Sequence, residues 1–173
     1  MYSEERIKQV IRNIPDFPKK GILFRDITPL LADGEVFRAC IDRFKGMTRG
    51  KVDCVVSIES RGFIFGSALA YALGVGFVLV RKEGKLPHRT VSASYSLEYG
   101  EAKMEMHEDA ILSGSRVLLI DDVLATGGTM RAAVDLVEQL GGTVDALYFL
   151  IELEALAGRG KLVGYNVHSL ICY

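Results

Sequence analysis

Apolar residues follow two different rhythms along this chain. Near the start, Ile7, Val10, Ile11 and Ile14 recur at helical spacing and predict an amphipathic first helix. Ser3 stands where an N-cap belongs, Glu4 and Glu5 fall in the first turn where the helix dipole favours acids, and Pro15 and Pro18 end the element. Residues 15–34, PDFPKKGILFRDITPLLADG, read as irregular structure with a short helix near Pro29, and Val36 to Met47 reads as a helix. From there the pattern alternates. VDCVVSI (52–58), GFVLVRK (76–82), RVLLIDD (116–122) and TVDALYFLIE (143–152) are short, nearly continuous apolar runs and predict strands. GFIFGSALAYAL (62–73) and GTMRAAVDLVEQLG (128–141) predict helices between them. In the later helix Met130, Ala133, Val134, Val137 and Leu140 make one apolar face.

Strands apolar throughout, with helices between them, imply a mostly parallel sheet covered on both faces, an α/β fold. No repeat, low-complexity segment or linker divides the chain, so residues 1–173 read as one domain. The uncharged stretch 62–80, GFIFGSALAYALGVGFVLV, approaches the length of a membrane span. Gly74 and Gly76 break it between an Ala/Leu-rich half and a β-branched half, so a buried helix, a tight turn and a buried strand fit better.

Composition narrows the chemistry mainly by exclusion. With 21 basic and 22 acidic residues the net charge is −1, which gives no case for nucleic-acid or membrane-surface binding by the whole molecule. Cys40, Cys54 and Cys172 stand apart among apolar neighbours without a CxxC, and His88, His107 and His168 are scattered. Neither a zinc site nor a disulfide framework is suggested, and buried free thiols in a reducing cytoplasm are the simplest reading. The N-terminus lacks the basic and apolar regions of a signal peptide.

In parallel sheets ligands bind at the carboxyl ends of the strands, and two strand-to-helix junctions here are chemically unusual. In VLLIDDVLATGGTM (117–130), Asp121 and Asp122 end a buried strand, where charge is costly without a partner such as a diol or a metal-bound sugar. Thr126, Gly127, Gly128 and Thr129 then open a helix whose exposed amides and hydroxyls suit a phosphate. One loop thus offers ribose acceptors at one end and phosphate donors at the other. It lacks the Lys of a Walker A loop, and no GxGxxG follows a strand. This segment resembles the phosphoribosyl pyrophosphate (PRPP) signature of the type I phosphoribosyltransferases. The resemblance implies that Asp121 and Asp122 hold the ribose hydroxyls and that Ala125, Thr126, Gly127, Gly128 and Thr129 hold the 5-phosphate. It also implies that family's fold, a central mostly parallel sheet flanked by helices with a small N-terminal hood.

On the residues alone, SIESRG (57–62) reads better as a capped turn with a surface arginine, and RKEGKLP (81–87) equally as a solvated turn. The resemblance makes the first of these the pyrophosphate loop, with Glu59, Ser60 and Arg61, where the family often has a cis peptide not involving proline. Glu59 stands where aspartate is usual. Arg81, Lys82 and Lys85 would then neutralise the leaving group, and the resemblance lets Arg81 reach across a dimer interface.

The base is indicated by two further segments. DFPKKGILFRDITPLL (16–31) resembles the hood of the adenine phosphoribosyltransferase family, although Phe24 on its own could equally be core. The resemblance implies that Phe24 stacks on adenine, that Val123 closes the other face, and that the backbone of Leu23 and Arg25 reads the amino edge. A 6-oxo purine would leave those backbone groups unpaired. Residues 90–110 are polar, without helical periodicity, and read as a long loop of the kind that forms lids. Within it ASYSLEYG (93–100) resembles the family's mobile catalytic loop, with Glu98 and Tyr99 the functional pair, although a loop glutamate is by default simply solvated. The expected activity is adenine plus PRPP giving AMP and pyrophosphate, in purine salvage, by a cytoplasmic homodimer. Magnesium would be held mainly by PRPP rather than by protein ligands. The rivals are transferases for other nucleobases and a non-catalytic nucleotide sensor on the same fold. The sensor would need a partner surface, and no basic stretch or helix-turn-helix extension is present.

Overall fold

The computed structural model describes residues 3–96 and 101–173 of the chain. Helix α1 spans Glu4–Val10, with the Ser3 side chain accepting a hydrogen bond from the Arg6 amide. It is shorter than its apolar spacing predicts. At Ile11 the backbone turns extended, and Arg12–Pro15 forms strand β1, paired antiparallel with β2, Leu23–Asp26. Ile14 therefore faces Phe24 across a two-stranded hood instead of closing a helix. The stretch read as irregular thus contains a strand. Its end is fixed by Asp26, which is buried, accepts from the Thr28 amide and hydroxyl, and lies 3.4 Å from Arg12.

Helices α2 (Thr28–Ala32) and α3 (Gly34–Met47) follow, the second capped by Asp33. The sheet is built from β3 (Cys54–Ile58), β4 (Gly76–Lys82), β5 (Thr90–Ser96), β6 (Glu101–His107), β7 (Arg116–Leu124), β8 (Thr143–Glu152) and β9 (Val167–Cys172). Their order across it is β5-β6-β4-β3-β7-β8-β9. The five strands from β4 to β9 run parallel, while β6 and β5 add antiparallel at one edge. Helix α4 (Gly62–Leu73) connects β3 to β4, and Gly74 ends it in the left-handed conformation, φ 71°, as the tight turn requires. No helix among the described residues is long and apolar enough to cross a membrane. Helix α5 (Gly128–Gln139) connects β7 to β8.

Each face of the sheet carries its own core. Val55, Leu118, Ile120, Tyr148 and Leu150 face α3, α4 and the hood, where Phe65, Leu69, Phe44, Ile7 and Ile27 meet them. Val56, Val117, Leu119, Leu147 and Phe149 face α5, against Met130, Val134 and Val137. Alternate residues of β7 thus feed opposite cores, which is why Val117 to Ile120 form an unbroken apolar run. Two of the three free thiols fit this interior, burial pushing Cys40 up to about 12 and Cys54 up to about 11, whereas Cys172 is only half-buried.

The segment expected as a loop at 90–110 is mostly sheet. Met104 and Met106 of β6 are buried in the α5-side core, with Ala93 and Tyr95 of β5 partly buried beside them. Their period is two, which a search for helical spacing does not reveal.

Candidate active site

The carboxyl ends of β3, β4 and β7 converge on a cavity of about 370 Å³ lined by Glu59, Ser60, Arg61, Lys82, Asp121, Asp122, Val123, Ala125 and Thr129. Nine of the residues singled out from sequence therefore meet in one place. Thr126 and Gly127 line a smaller cavity of about 70 Å³ that shares Asp121, Val123, Ala125 and Thr129 with the first. A larger open groove of about 1370 Å³ runs past Arg12, Asp33, Arg38 and Asp42, but these side chains are all exposed, so their charges are screened by water.

Strand β7 brings the acids in, and the chain then breaks sharply. Gly127 adopts φ 77°, and Gly128 opens α5 with its amides toward the loop. A Cβ on Gly62 would lie 2.6 Å from Asp121 Oδ1, so only glycine lets the start of α4 pass so close to the acid. Asp122 is 5% exposed. Its Oδ2 lies 2.8 Å from Arg61 Nε without receiving an aligned hydrogen bond from any described residue. Asp121 Oδ1 accepts from the Asp122 amide. Burial, and then the neighbouring Asp122 carboxylate, push Asp121 well above the usual carboxylate range. Burial likewise raises Asp122, with Arg61 opposing it. Two crowded acids with unfilled acceptor capacity are prepared for hydroxyl donors.

This crowding has a measurable consequence. A carboxyl whose pKa is raised by folding destabilises the fold as pH climbs above its ordinary range near 4. We therefore expect Asp121→Asn to melt higher than the wild type at pH 7–8, by a few degrees for each ~1 kcal/mol relieved. The gain should shrink to nothing as pH falls toward 4, where the wild-type acid is neutral. Melting curves of the two ligand-free proteins across that range check it.

The residues expected to meet the pyrophosphate divide by role. The peptide between Glu59 and Ser60 is cis. Partial burial would raise the Glu59 carboxyl, but hydrogen bonds from Arg81 Nε (2.7 Å) and the Lys82 amide (3.1 Å) outweigh it and hold it below its ordinary value. Glu59 thus ties the end of β3 to β4. Arg81 is engaged there and with the Lys85 carbonyl at 3.0 Å, while Lys82 lines the cavity. Of the residues expected to hold adenine, Val123 on β7 reaches the cavity wall, whereas Leu23, Phe24 and Arg25 of the hood lie beyond it. The link is Arg61. Its guanidinium is 5.4 Å from the Phe24 ring centroid, and the same side chain pairs with Asp122. Phe17 meets Phe24 edge-on at 5.1 Å, and Arg25 stacks over the Tyr173 ring at 3.7 Å.

Glu98 and Tyr99 lie outside the described residues. Sequence reasoning missed Tyr95 and Met104, which line the cavity from β5 and β6. The alternation of Val91, Ala93 and Tyr95 is the signal that could have found them. It also missed Gly158, which lies against the back of the glycine loop and for which the sequence carries no signal. No group of three or more His, Cys, Asp or Glu among the described residues is placed to hold a metal ion.

A mostly parallel sheet with an acid pair near the carboxyl end of one strand, and a glycine turn into a helix after it, has the arrangement of a phosphoribosyltransferase. The family model for the phosphoribosyl transferase domain matches residues 31–160. The chain is 57% identical over 168 residues to adenine phosphoribosyltransferase from Thermotoga neapolitana, covering 96% of this chain and 99% of that one. The crystal structure of adenine phosphoribosyltransferase from Thermoanaerobacter pseudethanolicus superimposes with a TM-score of 0.96 at 55% identity, covering 99% of this chain and 100% of the other. That of the Trypanosoma brucei enzyme in complex with AMP, pyrophosphate and ribose 5-phosphate gives 0.89 at 28% identity, covering 98% and 79%. The chain belongs to the adenine phosphoribosyltransferase family.

Proposed function

We propose that this protein transfers the phosphoribosyl group of PRPP to adenine, releasing pyrophosphate and forming AMP for purine salvage. The observation that carries the reading is Arg61, which touches both the hood aromatic Phe24 and the acid Asp122. Base pocket and sugar pocket are therefore neighbours in one site. The bond from the anomeric carbon to pyrophosphate breaks, positive charge develops on the sugar, and a ring nitrogen of adenine attacks and loses its proton. Asp121 and Asp122 orient the ribose by accepting from its hydroxyls. The amides of Thr126 to Thr129 hold the 5-phosphate, and Ser60, Arg61 and Lys82 receive the leaving group's charge. Arg81 and Lys85 support that loop and reinforce its positive potential. Leu23 and Arg25 read the base edge through their backbones, and Glu98 with Tyr99 handles the purine proton.

Magnesium fits this arrangement as an ion held mainly by PRPP. Asp122 Oδ2 lies against Arg61 without an aligned hydrogen bond from any described residue, and a hard cation prefers oxygen donors, which the diol and pyrophosphate supply in number. The bound ion would neutralise charge on the departing pyrophosphate. We also infer a cytoplasmic homodimer, with residues 1–173 as one catalytic domain, its hood at about 1–34 and its core at about 35–173. The family match supports this reading.

A panel of bases tests the assignment. With purified protein and PRPP, kcat/KM for adenine should exceed that for hypoxanthine or guanine by at least about a hundredfold, since leaving site polar groups unpaired discriminates on that scale. Comparable use of hypoxanthine would remove adenine as the substrate.

A further inference from the structure

The short stretch between β8 and β9 contributes no residue to the catalytic cavity, yet it presses on the back of the phosphate loop. Residues Glu154–Leu156 and Gly158–Lys161 form two 3-10 turns. Gly158, which opens the second, is buried. A Cβ on it would overlap the Ala125 carbonyl oxygen and lie 2.9 Å from Leu124 Cδ1, and a Cβ on Gly127 would overlap the Gly158 carbonyl oxygen. Two backbones therefore touch with no side chain between them.

The next residue holds this contact closed. Arg159 donates from Nε and Nη2 to both oxygens of Glu152, at 2.6 and 2.7 Å, and from Nη1 to the Val167 carbonyl at 3.0 Å. Glu152 is 5% exposed and also accepts from the Ser169 hydroxyl at 2.6 Å. The Arg159 hydrogen bonds hold its carboxyl below the ordinary value, so the clamp is a charged, bidentate one. The Leu153 amide donates to the Leu124 carbonyl at 2.9 Å, fastening the same stretch to the end of β7.

We propose that Gly158 and Arg159 are positioning residues for phosphoribosyl transfer. Arg159, locked into Glu152, sets the Gly158 backbone against Ala125 and Gly127, and so fixes the loop in the shape that receives the 5-phosphate. Neither residue touches substrate. The proposal rests on the assignment of that loop to the 5-phosphate. Several amides must point at one phosphate together, so a small displacement of the loop weakens all of them at once.

The test uses the full chain, comparing wild type, Gly158→Ala and Arg159→Lys by steady-state kinetics, calorimetric titration with ribose 5-phosphate, and thermal melting. Gly158→Ala should raise KM for PRPP by about tenfold or more, the scale on which misplaced binding groups act, and weaken ribose 5-phosphate in parallel. KM for adenine should stay within about twofold, because the base site is built from the hood. Arg159→Lys should move the same constants in the same direction by less, since an ammonium cannot reproduce the planar fork. A lower melting temperature with unchanged ribose 5-phosphate affinity would reduce the stretch to a structural brace and overturn the proposal, as would equal rises in both KM values. If Gly158→Ala fails to fold, Arg159→Lys decides. If the wild type shows no transfer to adenine, the activity reading fails by itself, and the ribose 5-phosphate titrations still judge the clamp.

Discussion

Gly127→Val is expected to abolish useful PRPP binding, raising its KM by about a hundredfold or more, the cost of misplacing a binding loop. Two independent causes act at this position. The backbone holds φ 77°, a region that β-branched residues avoid at a cost of about 1–3 kcal/mol. Any Cβ there would also overlap the Gly158 carbonyl oxygen, so even a relaxed φ leaves the loop displaced. Gly127→Ala adds the smallest possible side chain and should show a weaker version of the same defect, with adenine KM changing far less than PRPP KM. Initial-rate measurements varying each substrate in turn separate the two. Normal PRPP kinetics in both variants would place the phosphoribosyl site elsewhere.

A second large effect is expected at Glu98, whose assignment comes from the family motif. Glu98→Ala should lower the rate of AMP formation by about a hundredfold or more, as removal of a proton-transfer group does. Tyr95, three residues earlier, lines the cavity, so the motif starts at the site's wall. Melting temperature should barely move, by within about half a kcal/mol of stability, as a substitution outside the core does. Glu98→Gln distinguishes two roles because it keeps hydrogen-bonding capacity but cannot exchange a proton. Equal slowness of both variants assigns proton handling, whereas slowness of Ala alone assigns positioning of the base. Single-turnover formation of AMP is the quantity to measure, because slow product release would otherwise mask the chemistry. An undiminished single-turnover rate in Glu98→Ala would strike it from the mechanism.

The parts of the fold that can be read from sequence are those whose burial comes from their own residues. Strands β3, β7 and β8 are apolar on both faces because helices cover both, and the chain states this in runs such as VVSI and LYFLI. Strand β9, VHSLIC, is not legible in the same way. His168 and Ser169 interrupt its apolar run, and it is recruited by pairing with β8. The first helix stops at Val10, short of the Ile14 that its apolar spacing includes, because Ile14 is half-buried opposite Phe24 in the hood ribbon. In the site, the acid pair and glycine loop are legible because charge on a buried strand beside a helix start is costly unless a ligand meets it. The Glu59–Arg81 tie, Arg61 shared between Phe24 and Asp122, and the Gly158 contact join residues far apart in the chain, with nothing local to announce them.

The hood has its own consequence for how the molecule is made. Ile7 packs in the same cluster as Leu170 and Ile171, the Cys172 amide donates to Glu4, and Lys8 and Arg25 both sit over the Tyr173 ring. The hood is thus anchored to β9, which follows β7 and α5 in the chain. On a ribosome β7 and α5 can assemble while this first segment still waits, because β9, part of its docking surface, does not yet exist. On the proposed reading, the hood therefore docks only after β9 has been made, later on the growing chain than the acid pair and the glycine loop.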